Sequence, residues 1–459
     1  MKLLYLTAGA AGMYCGSCML DNALARVMLQ QGHEVLLTPL YTPIRTDEED
    51  VSLHQVFFGG INVYLQQKYA WARHLPGWLE AWLNQPWLIR RLTANTGKTS
   101  PKLLGALAIS MLRGTDGYQR KEVFRLCRWI TDDVQPDAIL LTNLLIGGCL
   151  PELRRQLRQP IEVILQGDDI FLDALLPADR EVAIAAMRRL VPYVDRFIVH
   201  SRDYGNRMAE LLAIPADRWR VVPLGIDTQG FTAIGYQAHL ERLAKPPEEP
   251  ISLGYLARMA PEKGLHHLID AFIELATRRD LPTLRLELAG WMGPQHRTFW
   301  DEQRRKLNAA GLDGRWSYHG SLSHQAKVDF LHHLDLLSVP TVYREPKGLF
   351  VLEAVAAGVP YVQPAHGAFP ELHQRLQAGC LFPPEDPVGY VDQLARQIYA
   401  IHSQRKQTAP GSTPLAPSPS LIESYQQRLE EISIGFMAKR MLQPLLASEN
   451  RAGHETRRR

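Results

Sequence analysis

The chain predicts an α/β protein built of two doubly wound halves, and three observations carry that expectation. Leu3 to Thr7 reads as a buried strand and passes through a small-residue turn, Ala8 to Ser17. An apolar helical stripe at Leu20, Leu24, Val27 and Met28 follows, and then a second strand, Glu34 to Leu40. A second series of strands and helices begins at Ile251. Between the two lies Tyr236 to Pro250, polar, proline-rich and without periodicity, which reads as a linker. The chain has 459 residues, too many for one ordinary core, and two domains of roughly 200 residues are the natural division.

Composition narrows the classes. An apolar content of 46% and a charged content of 22% describe a globular protein. The net charge of +3 provides no sustained basic face, so a nucleic-acid partner is not expected. No apolar run reaches the 18 or so residues that span a bilayer. The apolar start, MKLLYLTAGAAG, flows straight into a patterned strand, and it reads as that strand rather than as a signal peptide. Five scattered cysteines, Cys15, Cys18, Cys127, Cys149 and Cys380, point to reduced thiols in the cytoplasm. Cys15 and Cys18 have redox-pair spacing but no second pair to complete a metal site, so they read as small residues lining a turn.

Along the first half, the loop Gly9 to Gly12 with Gly16 lets a ligand approach the backbone at the sheet's carboxyl edge. It lacks a clean G-x-G-x-x-G, and no acidic ribose ligand ends the second strand, so a dinucleotide-dependent dehydrogenase is disfavoured. The stretch that carries Trp71, Trp78, Trp82 and Trp87 reads as two short helices divided by Pro76 and Pro86. An insertion packed on its own core is the favoured reading, since aromatic stripes are usually core. An acceptor-binding rim, or peripheral contact with the inner face of a membrane, is the alternative. Met111 to Val134 reads as an amphipathic helix, and Asp137 to Thr142, Glu162 to Gln166 and Arg196 to His200 as strands. Gln166, Gly167, Asp168 and Asp169 end a strand, where ligands bind in open α/β sheets. The expected boundaries are 1–235 for the first domain, 236–250 for the linker and 251–402 for the second domain. A flexible Pro/Ser-rich loop over 403–420, a closing helix over 421–445 and a disordered tail over 446–459 complete the chain.

The most informative stretch is Arg344 to Val362. Glu345 and Glu353 stand eight residues apart, with Pro346, Lys347 and Gly348 in a turn after the first. Leu349 to Ala357 is a run of helix formers stopped by Gly358 and Pro360. The N–H groups of Gly348, Leu349 and Phe350 would point from the positive end of that helix, which suits a phosphate. Acidic residues on both sides of an anion-binding helix start fit a ligand with hydroxyls flanking a diphosphate. A nucleotide sugar is such a ligand.

Five segments in order then resemble one family, the retaining glycosyltransferases of family 4, whose fold (GT-B type) has two Rossmann-like domains facing across a cleft. They are the opening glycine loop and helix, Val221 to Asp227 (VVPLGID), Gly254 to Phe272, Glu345 with Glu353 as the E-x7-E signature, and His366 to Leu372 (HGAFPEL). The resemblance spans nearly the whole chain. It implies that Arg258 and Lys263 face the diphosphate, where fixed cations stabilise the leaving group's growing charge. It implies that Glu353 binds the ribose, that Glu345 binds the sugar hydroxyls, and that Gly16 lets the loop close on the phosphates. It also implies no metal or other cofactor, front-face attack with retention, and domain closure that excludes water.

Two positions depart from the family pattern. Gln166 replaces a common histidine, and Lys347 stands in a turn that is commonly glycine–phenylalanine–glycine. Both bear on substrate more than on activity. The expected catalytic residues are Glu345, Arg258 and Lys263; the donor site adds Gly16, Lys347, Gly348, Leu349 and Glu353; Gln166 and Asp168 are acceptor-side candidates. The expected partners are a nucleotide sugar and a glycan, lipid or small-molecule acceptor. A non-catalytic nucleotide-sugar-binding protein and a sugar-nucleotide epimerase are the rival readings.

Overall fold

The computed structural model describes residues 1–9, 16–44, 49–53, 101–231, 240–242, 244–407 and 419–456. The tryptophan segment, Cys15 and the middle of the proline-rich loop lie outside them. The chain divides into two compact units, Met1–Pro223 with Met437–Arg459, and Leu224–Phe436.

The first unit is built on β1 (Lys2–Thr7), β2 (Glu34–Pro39), β3 (Ala138–Leu141), β4 (Ile161–Ile164), β5 (Arg196–Val199) and β6 (Trp219–Val221). All pairings are parallel, in the order β2-β1-β3-β4-β5-β6. Strands buried on both faces need continuous apolar runs, and KLLYLT and AILL supply them. The helices are α1 (Gly16–Gln30), α2 (Pro101–Leu112), α3 (Arg120–Arg128), α4 (Leu150–Gln156), α5 (Asp168–Asp173), α6 (Pro177–Leu190) and α7 (Arg202–Leu212). The single helix expected over 111–134 is instead broken after Leu112 by a short 3-10 turn, Gly114–Asp116, and α3 ends in a π turn, Trp129–Val134. Gly114 causes the break. Its φ is +57°, and a Cβ there would stand 1.9 Å from the carbonyl oxygen of Gly148.

The second unit carries β7 (Ile251–Leu256), β8 (Leu284–Ala289), β9 (Trp316–Tyr318), β10 (Leu336–Leu337), β11 (Tyr361–Pro364) and β12 (Gly379–Phe382). They form a parallel sheet in the order β12-β11-β10-β7-β8-β9, the strand order of a dinucleotide-binding sheet. Its helices are α8 (Leu265–Thr277), α9 (Arg297–Ala309), α10 (His324–His333), α11 (Leu349–Ala356), α12 (Phe369–Leu376), α13 (Pro387–Gln407) and α14 (Pro419–Glu431). Strand β12 was not expected. Its four residues are too few to show a period, and pairing with β11 makes them a strand.

Three boundaries differ from the expectation. The second unit begins at Leu224, and the described part of the expected linker belongs to it. Arg242 donates to the carbonyls of His332, Ala357 and Gly358, and Arg405 donates to those of Arg242 and Glu249. The closing helix is two helices, α14 and α15 (Ile434–Thr456), separated at Ile432 and Ser433. There Ser433 pairs with Ile226 in a parallel bridge, with Ile226 N to Ile432 O at 2.9 Å and Ile434 N to Ile226 O at 2.7 Å. The expected disordered tail is helical as far as Thr456. From Met437 onward α15 belongs to the first unit, where Arg220 donates to the carbonyls of Arg440 and Met441.

Arg405 and Asp335 are 0% and 1% exposed at the side chain and lie 2.5 Å apart. Removing one partner leaves a buried charge without compensation. Arg405→Met is expected to destabilise the second unit by about 3–5 kcal/mol in denaturant unfolding, with Arg405→Met/Asp335→Leu recovering much of the loss. A double variant no better than the single would show that the ion pair is not the source.

Candidate active site

In open α/β sheets ligands gather at the carboxyl ends of the strands, where the strand order reverses. The second sheet reverses between β7 and β10, and the segments leaving those two strands carry Arg258 to Lys263 and Ser338 to Glu345. Gly264 joins them closely. Its φ is +72°, and a Cβ would lie 1.7 Å from the carbonyl oxygen of Pro340, so only glycine lets α8 start against the end of β10. That contact delivers Lys263 to Glu345.

The Lys263 ammonium lies 2.7 Å from Glu345 Oε2 and 2.5 Å from the hydroxyl of Tyr343, and that hydroxyl lies 2.6 Å from the same Oε2. The rings of Tyr343 and Phe350 flank the ammonium at 5.0 and 5.7 Å. Glu345 Oε1 accepts from the N–H groups of Gly348 at 3.3 Å and Lys347 at 3.4 Å. Burial alone pushes this carboxyl up. The charge of Lys263 and the hydrogen bonds from Lys263, Tyr343 and Gly348 outweigh it, and the group falls to about 2. The loop after β11 seals the far side, with Ala368 N donating to Glu345 O at 2.8 Å.

The structure thus brings Lys263, Glu345, Lys347, Gly348 and Leu349 together around the start of α11. One expectation changes. The N–H of Gly348 is already held by Glu345, whereas those of Leu349 and Phe350 have no hydrogen-bond partner among the described residues. Glu353, inside α11, pairs with Lys327 at 2.8 Å. Arg258 is 42% exposed at the side chain and pairs with Glu262 at 3.1 Å. Sequence reading missed Tyr343, Thr341 and His366. His366 Nε2 meets the carbonyl of Thr341 at 2.9 Å, while His366 Nδ1 and Thr341 Oγ1 are buried without partners. His366 lay inside a quoted segment, but its buried nitrogen leaves no trace in sequence.

The first sheet reverses at β1 and β3. There Asp21, 0% exposed, accepts from Tyr5 at 2.6 Å, Thr7 at 2.9 Å, Thr142 at 2.6 Å and Gln166 at 3.2 Å. Burial raises its carboxyl, and these four bonds pull against that. Gln166 Nε2 also lies 2.7 Å from Thr142 Oγ1. Asp168 accepts from the N–H groups of Leu144 and Gln166, at 2.9 and 3.2 Å, yet burial still lifts it to about 7. Gly16 opens α1. Asp21 was not expected at this site, since on α1 it reads as one polar residue in an apolar stripe.

Residues 250–399 match the family model described as Glycosyl transferases group 1. Lys263, Glu345 and Glu353 all lie within the matched residues. Among curated relatives, the glycogen synthase of Mycobacterium tuberculosis is 31% identical over 202 residues, 44% of this chain and 44% of the relative. The D-inositol 3-phosphate glycosyltransferase of Corynebacterium efficiens is 28% identical over 212 residues, 45% of this chain and 49% of the relative. The chain thus spans slightly less than half the length of these two relatives. Among solved structures, the sucrose-phosphate synthase of Thermosynechococcus elongatus matches 99% of this chain and 100% of its own, with TM-score 0.64 and 19% identity. Anabaena HepE in complex with UDP and glucose matches 97% of this chain and 99% of its own, with TM-score 0.61 and 16% identity. That likeness covers both units and shows the GT-B fold of two Rossmann-like domains.

Glu345 sets a pH dependence. Its carboxyl sits at about 2 when folded against an ordinary 4.5, so between those values the unfolded chain binds the extra proton. Its contribution is complete above about pH 5 and fades as pH falls toward 2. The stability advantage of the wild type over Glu345→Gln should therefore shrink by about 3 kcal/mol from pH 5 to pH 2 in urea unfolding. A constant gap would contradict the pairing with Lys263.

Proposed function

We propose that the protein is a retaining, metal-independent glycosyltransferase of the family 4 type. In this reading it moves a hexosyl group from a nucleoside-diphosphate sugar to an acceptor. The observation that carries this is the fixed ammonium of Lys263, held by Glu345 and Tyr343 beside the start of α11. Two of its three N–H groups are engaged within the protein, which leaves one to meet a diphosphate oxygen. The N–H groups of Leu349 and Phe350 and the guanidinium of Arg258 offer further donors to the same anion.

The chemistry follows from that charge distribution. The bond between the anomeric carbon and the diphosphate oxygen breaks, and negative charge grows on the diphosphate. Lys263 and Arg258 stabilise it where it grows and supply the positive charge that a metal would otherwise provide. The acceptor hydroxyl attacks from the same face, and its proton passes to the departing phosphate oxygen. Glu345 acts through Lys263, because all its described contacts hold the ammonium and the turn before α11. Glu353 reaches the ribose, with Lys327 keeping its carboxylate in place.

The names of the relatives support a sugar-transfer reading, and so does the UDP and glucose bound in the Anabaena protein. Cytoplasmic placement rests on the odd number and scattered positions of the five cysteines. No described helix is long and apolar enough to cross a membrane.

Thermal-shift measurements with UDP, GDP, ADP and their sugars test the donor site. One base should raise the melting temperature by mass action. Arg258→Ala, at a largely exposed position, should leave the melting temperature without ligand unchanged and weaken that diphosphate about tenfold or more. No shift with any nucleotide, or an unaltered affinity in Arg258→Ala, would contradict the proposed diphosphate site.

A further inference from the structure

A cavity of about 320 Å³ opens at the carboxyl ends of β1, β3 and β4, at the reversal point of the first sheet. Its walls are apolar. Leu107, Ala108 and Met111 come from α2, Leu145 and Ile146 from the turn after β3, and Phe171 from α5. Leu107, Met111, Leu145 and Phe171 are only half-buried. Thr142, Gln166 and Asp168 also line it, so a few convergent polar groups meet a largely apolar chamber.

The charge of this chamber is as telling as its walls. Its described lining includes no lysine or arginine. The carboxyl group in its described lining is that of Asp168, and a second acid, Asp21, lies behind Thr142 and Gln166. A phosphate entering here would be buried against carboxyl groups with no cation among the described lining residues to compensate it. A polyhydroxylated body would lose its water against leucine, methionine and phenylalanine with few groups to replace the lost hydrogen bonds. A compact apolar body with one hydroxyl avoids both costs. At the roughly 30 Å³ that a water-sized group occupies, the chamber holds about ten non-hydrogen atoms.

We infer that this cavity receives the acceptor as a hydroxyl carried on an apolar body, aromatic or alkyl, and rejects phosphorylated acceptors. The inference rests on the glycosyltransferase reading and specifies its acceptor. The chemistry is balanced by that reaction. The acceptor oxygen forms the new bond to the anomeric carbon, the bond from that carbon to the diphosphate breaks, and the acceptor proton leaves with the nucleoside diphosphate.

The test uses the full chain and the donor selected by thermal shift. 2-Naphthol serves as the aromatic acceptor, 1-octanol as the alkyl acceptor, and inositol phosphate and fructose 6-phosphate as the phosphorylated ones. Products are read by mass spectrometry. Transfer to naphthol or octanol, with none to the phosphorylated compounds, is the expected result, and the preferred arm tells ring from chain. Met111→Glu places a charge on the wall and should raise the KM for the alcohol at least about tenfold. Ala108→Leu, which fills space without charge, should raise it in the same direction. Retained binding of the nucleoside diphosphate together with a wild-type urea-unfolding transition of the first unit shows that each variant is folded. If no nucleotide binds the wild type, the glycosyltransferase reading itself fails. If the donor binds but a phosphorylated sugar is the acceptor used, or neither alcohol is glycosylated, the reading survives and this inference is overturned. An unchanged KM in both folded variants also overturns it.

Discussion

The carboxylate of Glu345 is the point on which the second unit's site depends. Four donors converge on it: the Lys263 ammonium, the Tyr343 hydroxyl and the N–H groups of Lys347 and Gly348. An unpaired carboxylate at 4% exposure would be costly. Pairing it fixes three separate pieces of chain at once, namely the turn before α8, the segment after β10 and the turn before α11. The site's geometry and the local stability are thus one interaction. The ammonium of Lys263 is held by the same atoms that keep its loop folded.

The two sheets answer the burial of an acid at a strand-order reversal in different ways. In the second unit a lysine compensates the charge, and the carboxyl drops to about 2. In the first unit Asp21 has only neutral donors from Tyr5, Thr7, Thr142 and Gln166, and its carboxyl rises. Asp168 beside it rises to about 7. One reversal point is therefore rich in fixed positive charge, and the other has acids and apolar walls.

The sequence showed most of the framework because buried parallel strands must be continuously apolar. Leu3 to Thr7 and Ile251 to Leu256 are legible for that reason alone. The helix start at Gly348 and Leu349 was legible through spacing, since a helix start between two acids is a local pattern. What escaped notice depends on distant partners. Tyr343 looks like any aromatic until Gly264 brings Lys263 beside it. Asp21 is unremarkable until Thr142 and Gln166, more than a hundred residues away, point hydrogens at it. Strand β12 exists because β11 pairs with it. The helix break at Gly114 follows from the carbonyl of Gly148, and no local propensity reports that contact.

The segment expected to be a linker shows how composition misleads when arginine is involved. Lys245 to Pro250 is rich in prolines and charges, which normally marks exposed, unpatterned chain. Here the backbone carbonyls of Arg242 and Glu249 accept from Arg405, whose side chain is fully buried and paired to Asp335. Arg242 in turn satisfies the carbonyls at the end of α11 through Ala357 and Gly358. A guanidinium presents five donors in a fixed plane, so it can bind several backbone oxygens that no apolar side chain could satisfy. The polar stretch is therefore attached to the second unit through its backbone, and the carbonyls that end α11 are held by it.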